Sequence, residues 1–102
     1  GGTVPTMISN ESSSSMNFGN AVRYCKNLNE SGYADWYLPT FHELVSVISK
    51  GGVSVPADNS GNYVWIADID GNSGYYLQFF NFGNGHVSRD YGYNPYYVRC
   101  VR

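Results

Sequence analysis

Between positions 18 and 28 the apolar residues fall at Phe18, Ala21, Val22, Cys25 and Leu28, the three- and four-residue spacing that lines one face of an α-helix. Asn17 stands where an N-cap belongs. The helix is predicted to end near Ser31-Gly32, with Cys25 on its buried face. A second stripe, Phe41, Leu44, Val45 and Ile48, follows Thr40-Phe41-His42-Glu43. Thr40 and Glu43 have the spacing of a capping box, in which the threonine hydroxyl accepts the Glu43 amide and the Glu43 carboxylate reaches back to the Thr40 amide. Gly51-Gly52 is predicted to stop this helix, and His42 is expected at its surface.

After Gly52 the period shortens to that of strands, predicted at 63–67, 75–80, 86–90 and 96–101. Asp70-Gly71, Phe82-Gly83-Asn84-Gly85 and Gly92-Tyr93-Asn94-Pro95 separate them, and Asn84-Gly85 suits a tight hairpin. Residues 1–16 hold few apolar positions beyond Val4, Met7 and Ile8, and carry the run Ser12-Ser13-Ser14-Ser15. They read as one short strand and a flexible loop, an N-terminal region of the same domain. Two helices followed by a small antiparallel, loop-rich sheet make an α+β fold, with residues 17–102 as its binding domain and no internal repeat.

A chain of 102 residues fits one domain with little stability to spare. The net charge of −2 and pI near 5.5 exclude the strong positive field that non-specific nucleic-acid or anionic-membrane binding needs. No apolar run approaches the roughly 18 residues that would cross a bilayer, so no membrane insertion is expected. No secretory signal opens the chain, which begins at Gly1 and reads as part of a longer protein with any export signal outside it.

Cys25 and Cys100 fit neither a redox Cys-x-x-Cys nor the clustered pairs of a zinc site. A single long-range disulfide is the expectation, and with it an oxidising, extracellular or cell-surface location. The alternative is a pair of buried free thiols in a cytosolic protein.

Ten Tyr, five Phe and twelve Gly against 14% charged residues leave aromatic and amide chemistry to carry the surface. Tyrosine offers a rigid face with a polar tip at low entropy cost, and Asn, Ser and Gly add adaptable hydrogen bonding. The candidate ligand-binding residues are therefore Tyr75, Asn81, Asn84, His86, Arg89, Tyr91, Tyr93 and Asn94, with Arg89 able to hold a carboxylate or sulfate through two parallel bonds. Tyr76, Phe80 and Tyr96 are assigned to the core, as are Trp36 and Trp65. The Arg23 and Lys26 side of the first helix is the fallback site.

Other constellations yield to plainer readings. Asp68-x-Asp70-x-Asn72 has the alternating oxygens of a calcium loop, but Ser73 and Phe79 stand where an EF-hand needs Gly and Glu. An Asx turn is the better reading, and no metal or cofactor is expected. Cys25, His42 and Asp35 resemble nucleophile, base and orienter, a reading that lapses if Cys25 is bonded, so the chain is not expected to be an enzyme. Arg99 alternates with Val98 and Cys100 and is read as an ion-pair partner of Asp35 or as a ligand contact.

Four pieces now stand in order: Ala21-Val22-Arg23-Tyr24-Cys25-Lys26-Asn27-Leu28, Gly32-Tyr33-Ala34-Asp35-Trp36-Tyr37-Leu38-Pro39-Thr40, Glu43-Leu44, and Tyr97-Val98-Arg99-Cys100-Val101-Arg102. Together they resemble the family named for the C-terminal domain of the Legionella collagen-like adhesin, over residues 16–102. The resemblance implies a C-type-lectin-like fold in surface proteins, often adhesins that engage sulfated polysaccharides and in some cases assemble as homotrimers. The basic residues are only Arg23, Lys26, Lys50, Arg89, Arg99 and Arg102, which argues against tuning to sulfate. The Glu-Pro-Asn and Trp-Asn-Asp triplets of calcium-dependent lectins are absent from the sequence. The same fold carries the variable domains of diversity-generating retroelements and phage receptor-binding proteins, whose Tyr/Asn/Ser/Gly palette residues 72–96 share. It also carries formylglycine-generating enzymes, which need reactive cysteines. Two functions follow as expectations: calcium-independent binding of a glycan or glycosaminoglycan, or binding of a host or receptor surface protein through a diversified face.

Overall fold

The computed structural model describes residues 5–49, 63–69, 76–81 and 86–102. Two helices, α1 (Phe18–Asn27) and α2 (Phe41–Ser49), precede three strands, β1 (Tyr63–Ile69), β2 (Tyr76–Asn81) and β3 (Val87–Tyr91). The strands form an antiparallel sheet in the order β1-β2-β3, so the fold is α+β as expected. None of the described helices is long and apolar enough to cross a membrane.

The Asn17 side chain accepts the amide of Asn20 at 2.8 Å and starts α1. The helix stops at Asn27, earlier than predicted, because Leu28 is already extended. Ser31 and Gly32 instead occupy consecutive left-handed conformations, which suit a tight reversal, and Glu30 and Tyr33 exchange backbone hydrogen bonds across it. Val22 does not join the buried face and is 41% exposed. It stands about 100° round the helix from Ala21, off the line through Ala21 and Cys25 that is buried.

The capping box of α2 forms as predicted, with the Thr40 amide donating to Glu43 Oε1 at 2.9 Å and the Glu43 amide to Thr40 Oγ1 at 3.3 Å. Gly51-Gly52, the predicted stop, lies outside the described residues.

Successive residues of a strand point to opposite faces, and both faces of β1 are buried. Val64 and Ile66 pack with Leu44 and Val47 of α2, Phe80, Ile8 and Val101. Trp65 packs on the other side with Ala21 and Cys25 of α1, Trp36, Leu38, Val98 and Cys100. Both tryptophans are thus core, as expected. The Trp65 indole meets Phe18 edge-on at 5.6 Å and donates to the Met16 carbonyl at 2.8 Å.

The last predicted strand is present as separate bridges rather than a continuous ladder: Tyr96 to Met16, Tyr97 to Val64, and Val101 to both Ile8 and Tyr37. Cys100 within it is bonded to Cys25, with 5.5 Å between the Cα atoms. The N-terminal segment lies along this strand, while Ser13, Ser14 and Ser15 of the serine run are exposed. Ser9 and Ser12 are buried, and their hydroxyls accept the amides of Cys100 at 2.8 Å and Val98 at 3.1 Å. Where the backbone ladder is irregular, those hydroxyls satisfy amides that burial would otherwise leave unpaired.

Candidate functional site

β3 is the last strand of the sheet, and its side chains are exposed apart from the half-buried Asp90. Gln78 stands opposite Arg89, and Phe80 opposite Val87. Alternation therefore puts Val87, Arg89 and Tyr91 on one face with Gln78 and Phe80, and sends Asp90 to the other. The chain then reverses at Gly92-Tyr93-Asn94, where the Asn94 amide donates to the Tyr91 carbonyl at 3.1 Å. The Tyr91 and Tyr93 rings lie parallel within 9°, 5.3 Å apart, and Tyr93 is 73% exposed.

Asp90 organises this turn. Its Oδ1 accepts the Tyr91 amide at 2.7 Å and the Asn94 side-chain amide at 2.8 Å, and its Oδ2 accepts the Tyr96 hydroxyl. Tyr96 is itself anchored, stacked on Phe79 at 4.3 Å and edge-on to Trp65 at 4.9 Å. The Tyr96 hydroxyl, followed by the Tyr91 and Asn94 amides, holds the Asp90 carboxyl below its ordinary range against the opposing effect of burial. Burial, reinforced by Asp90, pushes the Tyr96 phenol up to about 12. Gly92 completes the seat: a Cβ there would stand 2.7 Å from Leu77 Cδ1, and its carbonyl accepts the Phe18 amide at 2.9 Å.

Of the eight ligand-binding candidates, Tyr91 and Tyr93 are brought together, and Arg89 shares the face of Tyr91. Asn94 is half-buried with its amide directed to Asp90, so it shapes the turn. Asn81 donates its backbone amide to the His86 carbonyl at 2.9 Å and alternates onto the Phe79 face, away from Arg89 and Tyr91. His86 is exposed just before β3. Tyr75 and Asn84 lie outside the described residues, as do the predicted Asn84-Gly85 turn and the side chain of Tyr76. Phe80 is buried and Tyr96 packs against the core.

An open groove of about 660 Å³ lies beside this face, walled by Phe41 and His42 of α2, Asp68 of β1, Gln78 of β2, and His86, Val87 and Ser88. Phe41 packs against Phe80 at 5.9 Å and His42 at 6.2 Å between ring centres. In the sequence Phe41 belongs to the apolar stripe of α2, His42 is expected at the surface, and nothing marks Gln78. The packing of α2 on the sheet, through Phe41 against Phe80 and Asp68, brings these residues together.

The remaining candidates resolve individually. Asp68 Oδ1 accepts the Phe41 amide at 2.6 Å, so this carboxylate caps the start of α2. Asp70 and Asn72 lie outside the described residues, among which no group of three His, Cys, Asp or Glu could hold a metal ion. Cys25 is in the disulfide and offers no nucleophile. The partner of Asp35 is Arg102, not Arg99: Arg102 Nη2 lies 3.0 Å from Asp35 Oδ2, and its guanidinium sits 3.6 Å from the Tyr33 ring centre. This pairing lowers the Asp35 pKa. Arg99 is 1% exposed, with Nη1 3.4 Å from the Ser9 carbonyl; burial removes it from any ligand face. Arg23 of the fallback site donates to Asn20 Oδ1 at 3.0 Å on the exposed side of α1.

No curated protein and no solved structure matches the chain. The family model described as the Lcl C-terminal domain matches residues 6–102, which takes in α1, α2, the sheet, both cysteines and the tyrosine turn. With nearly its whole length so matched, the chain belongs to the Lcl C-terminal domain family.

Proposed function

We propose that this chain is a non-catalytic ligand-binding domain of a secreted or surface-displayed protein, of C-type-lectin-like type, which binds a glycan through the tyrosine turn after β3 without calcium. The observation that carries the reading is the parallel pair of Tyr91 and Tyr93 rings, with Tyr93 exposed, on a turn fixed to the core through Asp90 and Tyr96. Flat aromatic faces held rigid in advance lose little entropy on binding. Arg89 on the same face adds a guanidinium for an acidic group on the ligand. The disulfide supports an oxidising location. Calcium independence is supported by Asp68, whose carboxylate serves the Phe41 amide. A glycan array run with and without chelator tests the reading: binding that survives chelation and is lost in Tyr93→Ala supports it, and binding restored only by calcium overturns it.

A second reading, a diversified face for a host or receptor protein, is favoured by the exposure of β3, where substitutions cost the core little. A reverse transcriptase and a near-copy template of this segment beside the gene would support it. Homotrimer assembly is tested by sedimentation of the intact protein.

A further inference from the structure

We infer that the groove beside α2 is a second subsite of the tyrosine face, which takes an uncharged, hydroxyl-rich stretch of an extended oligosaccharide whose other end stacks on Tyr91 and Tyr93. This rests on the glycan reading above. Val87 lines the groove, Tyr91 belongs to the ring pair, and both point to the same face of β3. At about 3.4 Å per residue, four strand positions separate them by roughly 14 Å, a span that a short oligosaccharide bridges and a single sugar does not.

The groove walls have the chemistry of a polyhydroxylated ligand. Phe41 supplies a ring held in place by Phe80 and His42. Gln78 presents an amide that both donates and accepts, and His42 and His86 add the polar nitrogens of their imidazoles. Pockets with one apolar surface and a few polar groups around it orient small ligands in this way. Charge narrows the class. Among the described residues the lining includes no Lys or Arg, and its one carboxylate, Asp68, is turned to the Phe41 amide. A sulfate or uronate placed beside Asp68 would meet that carboxylate, while Arg89, opposite Gln78, stands toward the tyrosine pair, so the Asp68 end of the groove favours a neutral segment.

The test uses the whole chain, with amide chemical shifts recorded against a neutral chito-oligosaccharide hexamer and a heparin-derived hexasaccharide at neutral pH. The neutral hexamer is expected to shift the amides of His42, Gln78 and His86 together with that of Tyr93. Gln78→Ala and, on the exposed face of α2, His42→Ala should each weaken its binding up to about tenfold, the loss of one hydrogen bond, with unchanged melting temperature. Shifts confined to the tyrosine turn remove the groove and leave the tyrosine-face reading standing. Shifts confined to the groove remove that reading and the bridged ligand with it. Larger groove shifts with heparin than with the neutral hexamer overturn the ligand class, and no shift with the neutral hexamer overturns the proposal.

Discussion

Tyr96 donates its hydroxyl to Asp90 Oδ2 while its ring stacks on Phe79 at 4.3 Å, so one side chain ties the exposed turn to the packed core. Asp90 in turn holds the Tyr91 and Asn94 amides. Asp90→Ala leaves the half-buried Tyr96 hydroxyl without its acceptor, and the expected cost is about 1 to 3 kcal/mol. Denaturant unfolding should show that loss, together with weaker ligand binding per folded molecule. An unchanged midpoint would mean that the turn does not depend on Asp90.

The same pair gives stability a pH dependence with two edges. The Asp90 pKa is lowered on folding, so its contribution is present above the unfolded value of about 3.9 and is lost as pH falls through the folded value. The Tyr96 pKa rises from 10.0 to about 12, so the bond is intact below pH 10 and is lost as pH climbs through about 12. Thermal melts of wild type and Tyr96→Phe should therefore differ by a constant amount near neutrality and converge at both extremes. A gap independent of pH would contradict the assignment.

Reduction should cost more than any of these. Cys25 and Cys100 close a loop with a sequence separation of 75, for which chain entropy gives about 4 to 5 kcal/mol. The unreduced protein should be two hydrogens lighter than the reduced one by intact mass. Its unfolding midpoint should drop sharply on reduction, and labelling of both cysteines in the unreduced, denatured chain would refute the pairing.

Asp68 provides a separate check on calcium. Because its carboxylate caps Phe41, Asp68→Ala should cost about 1 kcal/mol, the usual loss of a helix cap, and chelator should leave the wild-type melting temperature unchanged. A melting temperature that falls with chelator and returns with calcium would make Asp68 a metal ligand.

Features set by neighbours in sequence were legible. The Thr40–Glu43 box, the Asn17 cap, the first three predicted strands and the buried face carrying Cys25 follow from short-range spacing, and the Cys25–Cys100 bond followed from the cysteine count and that face. Features set by long-range pairing were not. Asp68 caps a helix 27 positions earlier, and Ser9 and Ser12 satisfy amides at the opposite end of the chain. Arg102 rather than Arg99 meets Asp35 because Arg99 turns inward toward Ser9. At the candidate site, Tyr91 and Tyr93 could be named from composition alone. The structural duty of Asn94 needed its bond to Asp90, and the meeting of His42, Gln78 and His86 needed the packing of α2 on the sheet.

The central claim is that the tyrosine turn binds and does not hold the core. Ligand affinity of Tyr93→Ala, measured per folded molecule with its unfolding midpoint, tests it most directly. The predicted result is binding weaker by about 1 to 2 kcal/mol at an unchanged midpoint, since Tyr93 is 73% exposed. A lowered midpoint with affinity intact would make the ring structural and contradict the account.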